Sequence, residues 1–229
     1  MADLKLAIPF VVPVLGEAFV SVNNPVMLTT LDFYTRVQLT REPAGSPKVK
    51  VSSPELSRIL ERLLKEAGVK EKIRIASQVL EDRENDFLTT TSIIYAHELG
   101  QSTSEMAILS SAKGDYAFLT IARALAALAG GFTVVRRGEG AVSLNGGIEG
   151  AFHLSLCRKA ANVNEAISSF SGRFPELVQP IWHVLGHLVL EGGRMVRESN
   201  PRGLGRLINL ENGISRGLGL TGIGDREPR

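Results

Sequence analysis

The 229-residue chain has little cysteine, little charge imbalance and no long apolar run, and each shortage excludes a class of explanation. Cys157 is its one cysteine, so no disulfide forms within the chain and a reducing compartment is the default expectation. Lys plus Arg number 26 against 24 Asp plus Glu, so charge alone does not call for nucleic acid. The longest apolar run near the N-terminus, residues 6–15, is broken by Pro9 and Pro13 and is too short to span a bilayer. It carries no convincing signal-peptide cleavage site. The expectation is a cytoplasmic protein with neither membrane nor nucleic acid as a partner. Internal repeats and low-complexity tracts are absent.

What is present is ordinary for a globular protein: 44% hydrophobic and 22% charged residues. The length suits one large domain or two small ones with a proper core. The first forty residues read as strands, from the apolar stretch Val11 to Val20, through a turn at Asn23-Asn24-Pro25, to Val26–Leu39. Lys48–Ser52 and Lys72–Ala76 alternate as further strands. Between them lies the clearest helix: Ser53 as N-cap, Pro54 at the first position, Leu56, Ile59, Leu60, Leu63 and Leu64 on one face, and Gly68 as the stop. Glu81–Asp86 reads as a charged loop, and helices are expected over 89–99, 102–114 and 117–129. Residues 132–137 and 151–157 read as strands around a glycine-rich turn region. Three helices follow, from about Asn164 to Phe170, Pro175 to Glu198 and Leu204 to Asn212, with Pro180 in the early turns of the second or kinking it. Strands, mixed βα units and a helical end make an α+β chain.

Few clusters invite chemistry. His183, His187 and Glu191 fall at i, i+4 and i+8, so they share a helix face. The first two have metal-ligand spacing, but three ligands along three turns diverge too far to grip one ion, and a polar stripe is expected. Ser110-Ser111-Ala112-Lys113 reads as a helix end, and Cys157 as a buried thiol in an apolar strand. Arg194, Arg197, Arg202 and Arg206 read as a solvated basic face.

The order of segments carries more. Pro9 to Glu17 with Gly16-Glu17, then Asn24-Pro25, then Leu31-Asp32 to Val37, resembles the N-terminal signature of mevalonate kinases. Ile75–Val79, Gly131–Val135 and Leu204-Gly205-Arg206-Leu207-Ile208-Asn209 with Asn212 resemble later segments of that family. The chain thus resembles the galactokinase, homoserine kinase, mevalonate kinase and phosphomevalonate kinase (GHMP) superfamily, nearest mevalonate kinase. The resemblance implies an α+β fold with a ribosomal S5-like N-terminal domain over 1–148 and a shortened ferredoxin-like C-terminal domain over 149–229.

The resemblance also implies where phosphate should be handled, and there the residues depart from the pattern. Val11 stands for a lysine and Ala18 for the histidine after Gly-Glu. The phosphate loop falls on 81–92, which holds no glycine and carries Glu81, Asp82, Glu84 and Asp86 against Arg83. Glycines would let backbone N–H groups approach a polyphosphate at a helix N-terminus, whereas carboxylates repel it. Thr89, Thr90 and Thr91 are the hydroxyls left for a nucleotide or Mg²⁺ at the expected helix start; alternatively they simply cap that helix. The catalytic aspartate falls on Arg123, which cannot act as a base because it stays protonated. It either meets phosphate charge or faces solvent. The Mg²⁺-binding glutamate falls on Ala112 or Lys113, and Gly219–Asp225 only partly echoes the C-terminal glycine motif, without the strand that normally follows.

Three readings follow. The first is a degenerate kinase that binds a ligand or partner. The second is an active ATP-dependent kinase of mevalonate or a related isoprenoid-pathway acid, with Mg-ATP as cofactor, Glu17 near substrate and Arg123 on the phosphate. The third is a binding module alike only in fold. A small molecule, a protein or a second copy in a homodimer are the partners left open.

Overall fold

The computed structural model describes residues 4–77, 82–96, 105–148 and 163–219. The chain forms two compact units, one from residues 1–12 and 28–143, the other from 13–27 and 144–229.

The first unit is built on a mixed sheet. Strands β1 (Leu4–Leu15), β2 (Val26–Pro43), β3 (Lys48–Val49), β4 (Glu71–Ser77), β5 (Phe132–Arg136) and β6 (Gly140–Ser143) join in the order β3-β4-β2-β5-β6, with β1 also on β2. β4 runs antiparallel to β2, with Leu39 opposite Ile75, and parallel to β3. β5 and β6 form a hairpin. Among the described residues four helices belong to this unit: α1 (Pro54–Glu66), α2 (Asp82–Ala96), α3 (Glu105–Ser110) and α4 (Asp115–Ala129). α2 packs on α4, and α4 on the β5–β6 hairpin. The helix at Pro54 forms as its sequence predicts: the Ser53 side chain accepts from the Leu56 N–H at 3.3 Å, and Leu56, Ile59, Leu60, Leu63 and Leu64 are buried.

Besides the end of β1 and the start of β2, the second unit's described part holds a 3-10 stretch (Glu17–Val22) and the helices α5 (Val163–Arg173), α6 (Pro175–Arg197) and α7 (Pro201–Gly217). Its core gathers Phe19, Ile167, Trp182, Leu185 and Leu188. α6 continues through Pro180. Gly192 lets two segments approach α6 closely, since a Cβ there would stand 2.6 Å from Leu15 Cδ1 and 3.0 Å from Met27 Cε. Among the described residues no helix is long and apolar enough to cross a membrane.

Several expectations need correction. Residues 82–86 are not a loop; they are the first turns of α2, where carboxylates are favoured by the helix dipole. Residues 17–22 turn in a 3-10 stretch and do not continue a strand. The strand at Lys48 stops at Val49, and β6 pairs within the stretch read as a turn region. The last helix runs from Pro201 to Gly217, longer than the 204–212 read from the sequence. The strand expected over 151–157, with Cys157, lies outside the described residues, as does most of the glycine echo at 219–225.

Candidate functional site

The resemblance places phosphate handling in the first unit, on α2 and α4. There α2 opens with Asp86 fully buried. Asp86 Oδ1 accepts the Ser52 N–H at 2.8 Å, and Oδ2 accepts the Ser52 hydroxyl at 2.5 Å and the Tyr116 hydroxyl at 2.8 Å. One carboxylate thereby ties α2 to the segment before α1 and to the first turn of α4. A buried carboxylate is tolerable only when donors surround it, and here three do. The Tyr116 phenol is held above its ordinary pKa chiefly by burial; a hydrogen bond with Ser52 works the other way, and Asp86 adds to the rise. The Arg83 guanidinium lies 5.9 Å from the Tyr116 ring centroid.

Arg123, on α4, does not face solvent; it is part-buried and paired within the protein. Its Nη2 donates to Glu84 Oε2 and to the Val11 carbonyl, each at 3.2 Å, and the guanidinium stacks 4.6 Å from the Phe87 ring centroid. The pair is mostly withdrawn from water, with side-chain exposures of 22% for Arg123 and 19% for Glu84. The cation that the resemblance sets against phosphate is thus paired with a carboxylate from the helix that the resemblance assigns to phosphate.

Thr89, Thr90 and Thr91 stand in the middle of α2, not at its start, because the helix begins at Asp82. All three are buried, and Thr91 donates back to the Phe87 carbonyl at 2.8 Å. Mid-helix backbone N–H groups are taken up by the helix itself, so these threonines lack the free N–H cluster of a helix N-terminus. The corner at Ala112 and Lys113 is strapped shut. Glu55 Oε1 accepts from the N–H groups of Lys113 and Gly114 at 2.9 and 3.0 Å. Arg137 donates to the Ala112 and Lys113 carbonyls at 2.5 and 2.6 Å and to Asp115 at 2.9 Å.

Glu17 belongs to the second unit, whereas Arg123 belongs to the first. Its neighbour Gly16 donates its N–H to Glu211 Oε1 at 2.8 Å, from a left-handed backbone with φ 86°. The Glu211 carboxyl is pushed up to about 7, chiefly by burial, against the lowering effect of the Gly16 bond; the Glu17 charge adds to the rise. A raised carboxyl contributes stability below its unfolded pKa, and that contribution is lost as pH rises through the folded one. Glu211→Gln is therefore expected to gain on the parent between about pH 4.5 and 7, reaching about 3 kcal/mol, since each pH step of one across that window is worth about 1.4 kcal/mol. Urea unfolding followed by Trp182 fluorescence at pH 5 and pH 8 measures it. An unchanged difference between the two pH values would refute it.

Sequence reasoning missed the Ser52–Asp86–Tyr116 cluster of the first unit and, separately, the Gly16–Glu211 bond of the second. Asp86 stood in a stretch read as solvated, and Glu211 sits one residue before Asn212, where the kinase-like segment ends. Ser52 and Tyr116 gave no signal of their own.

No family model matches the chain, and no curated protein matches it. Solved structures do match in shape. The mevalonate kinase of L. major, solved in complex with R-mevalonate, aligns with TM-score 0.56 and 15% identity over 94% of this chain and 76% of its own. The Lin0012 protein of Listeria innocua aligns with TM-score 0.62 and 12% identity, covering 95% of this chain and 79% of that one. A mevalonate diphosphate decarboxylase from Legionella pneumophila gives TM-score 0.60 and 10% identity, with coverages of 95% and 78%. Identities this low speak for the fold alone, and on that evidence the chain has the α+β GHMP-kinase-like fold.

Proposed function

We propose that this chain keeps the scaffold of the mevalonate-kinase-like GHMP proteins, has lost their phosphoryl transfer, and acts by binding a ligand or partner. The observation that carries the reading is the Arg123–Glu84 ion pair at 3.2 Å, beside the buried Asp86. Phosphoryl transfer depends on positioning and on neutralising the charge of the phosphates. Here protein carboxylates take the cation and the helix start that would do so, and residues 81–92 supply no glycine for close backbone approach. Arg123 supplies no base. The buried mid-helix threonines also weigh against a rewired kinase that uses their hydroxyls.

The test is direct. The purified chain is incubated with Mg-ATP and R-mevalonate, and ADP and phosphorylated product are followed. No turnover above a protein-free control is expected, and millimolar Mg-ATP is expected to leave the melting temperature unmoved, because a ligand that binds the native state must raise it. Stoichiometric phosphorylation of mevalonate would overturn the proposal in favour of the active-kinase reading.

A further inference from the structure

The outer face of α6 carries an arrangement that the phosphate chemistry does not use. His183 and His187 are both exposed, and their Nε2 atoms converge to 3.1 Å, with ring centroids 4.6 Å apart and planes at 79°. Glu191, the third polar residue of the stripe, does not join them. Arg194 holds it, with Nε 3.0 Å from each carboxylate oxygen. The three-residue stripe therefore resolves into two histidines that meet and a carboxylate that is otherwise engaged.

We propose that His183 and His187 form a two-nitrogen chelate for a divalent transition metal of the zinc, nickel or copper type. Imidazole nitrogens bind such ions at about 2.0–2.1 Å. Two nitrogens 3.1 Å apart, each at that distance from a shared ion, subtend roughly 100° at the metal, between the square-planar and tetrahedral values. Water fills the remaining positions. A bound ion takes the lone pair of each Nε2, so in the complex each ring carries its proton on Nδ1.

The support beneath the pair is rigid. The opposite side of α6 buries Trp182, Leu185, Leu188 and Val189. The Trp182 carbonyl also accepts the Asn24 Nδ2–H at 2.9 Å. A helix fixed in this way holds i and i+4 side chains over one another, so little ordering remains to be done when the metal arrives.

Calorimetric titration of the full chain with Zn²⁺ at neutral pH tests the site. One ion per chain is expected. His183→Ala and His187→Ala are each expected to weaken that binding by at least about tenfold, the least that loss of even an outer-shell partner usually costs. Glu191→Gln is expected to leave it unchanged. Alanine favours helix at exposed positions, and circular dichroism checks that both variants stay folded. In the parent, trace Cu²⁺ should broaden the ring-proton NMR signals of His183 and His187 before those of His97 and His153. Absence of saturable Zn²⁺ binding, or binding of equal strength in both alanine variants and the parent, overturns the proposal.

Discussion

Asp86→Ala is expected to destabilise the first unit by about 3–5 kcal/mol, because it strands three donors at once. The Ser52 N–H, the Ser52 hydroxyl and the Tyr116 hydroxyl all end on this carboxylate, at 2.8, 2.5 and 2.8 Å. Hydrogen bonds to a charged acceptor are stronger than neutral ones, and a buried donor left unpaired keeps its full desolvation cost. Tyr116→Phe removes one of the three bonds together with its donor, so it should cost only about 1–2 kcal/mol. In the double variant the two losses should fall short of their sum, since the residues act as one network. Thermal unfolding by circular dichroism measures all three. A loss under about 1 kcal/mol for Asp86→Ala, the size of a single ordinary hydrogen bond, would show that the cluster does not hold α1, α2 and α4 together.

Gly16→Ala is expected to destabilise the second unit by about 2–4 kcal/mol, from two separate effects. The backbone there is left-handed, φ 86°, which a residue with a Cβ resists. The added Cβ would also stand 2.3 Å from the Pro25 carbonyl oxygen and 3.0 Å from Val189 Cγ2. A backbone oxygen cannot swing aside as a side-chain tip can, so the chain around 16–25 must shift. That shift also disturbs the Gly16 N–H bond to Glu211 at 2.8 Å. Trp182 lies in the same unit's core with its ring centroid 5.8 Å from that of Phe19, so its fluorescence reports unfolding there. Gly45→Ala is the contrast: φ is 55° there, also left-handed, but a Cβ meets nothing within 4 Å, so only the smaller strain cost applies. Equal losses for the two substitutions would refute the steric part of the account.

These residues also mark what a linear reading reaches. The helix at Pro54 was legible to within a residue or two because its signals are local: a serine cap, a proline at the first turn, one apolar face and a glycine stop. The start of α2 was not legible. That helix buries Phe87, Leu88, Thr89, Thr90, Thr91, Ser92, Ile93 and Ile94 in succession, so no amphipathic period announces it. Its charged opening looks like a solvated loop until Ser52 and Tyr116, 34 and 30 residues away, are seen to surround Asp86. The histidine stripe shows the same limit from the other side. Spacing placed His183, His187 and Glu191 on one face, but rotamers and the nearby Arg194 decided that the first two meet and the third turns away.

By itself the sequence determined the α+β character, the best-capped helices, the order of segments that resembles the GHMP kinases, and the lack of glycine in 81–92. Those features rest on local backbone preference and on residue identity, which need no partner. Only the tertiary structure decided that Glu84 and Asp86 of α2 turn inward, that Glu84 takes Arg123, and that Asp86 and Glu211 each anchor distant backbone. A charged group's role depends on which donors and how much water the fold leaves around it, and those neighbours are set by packing between segments far apart in the chain.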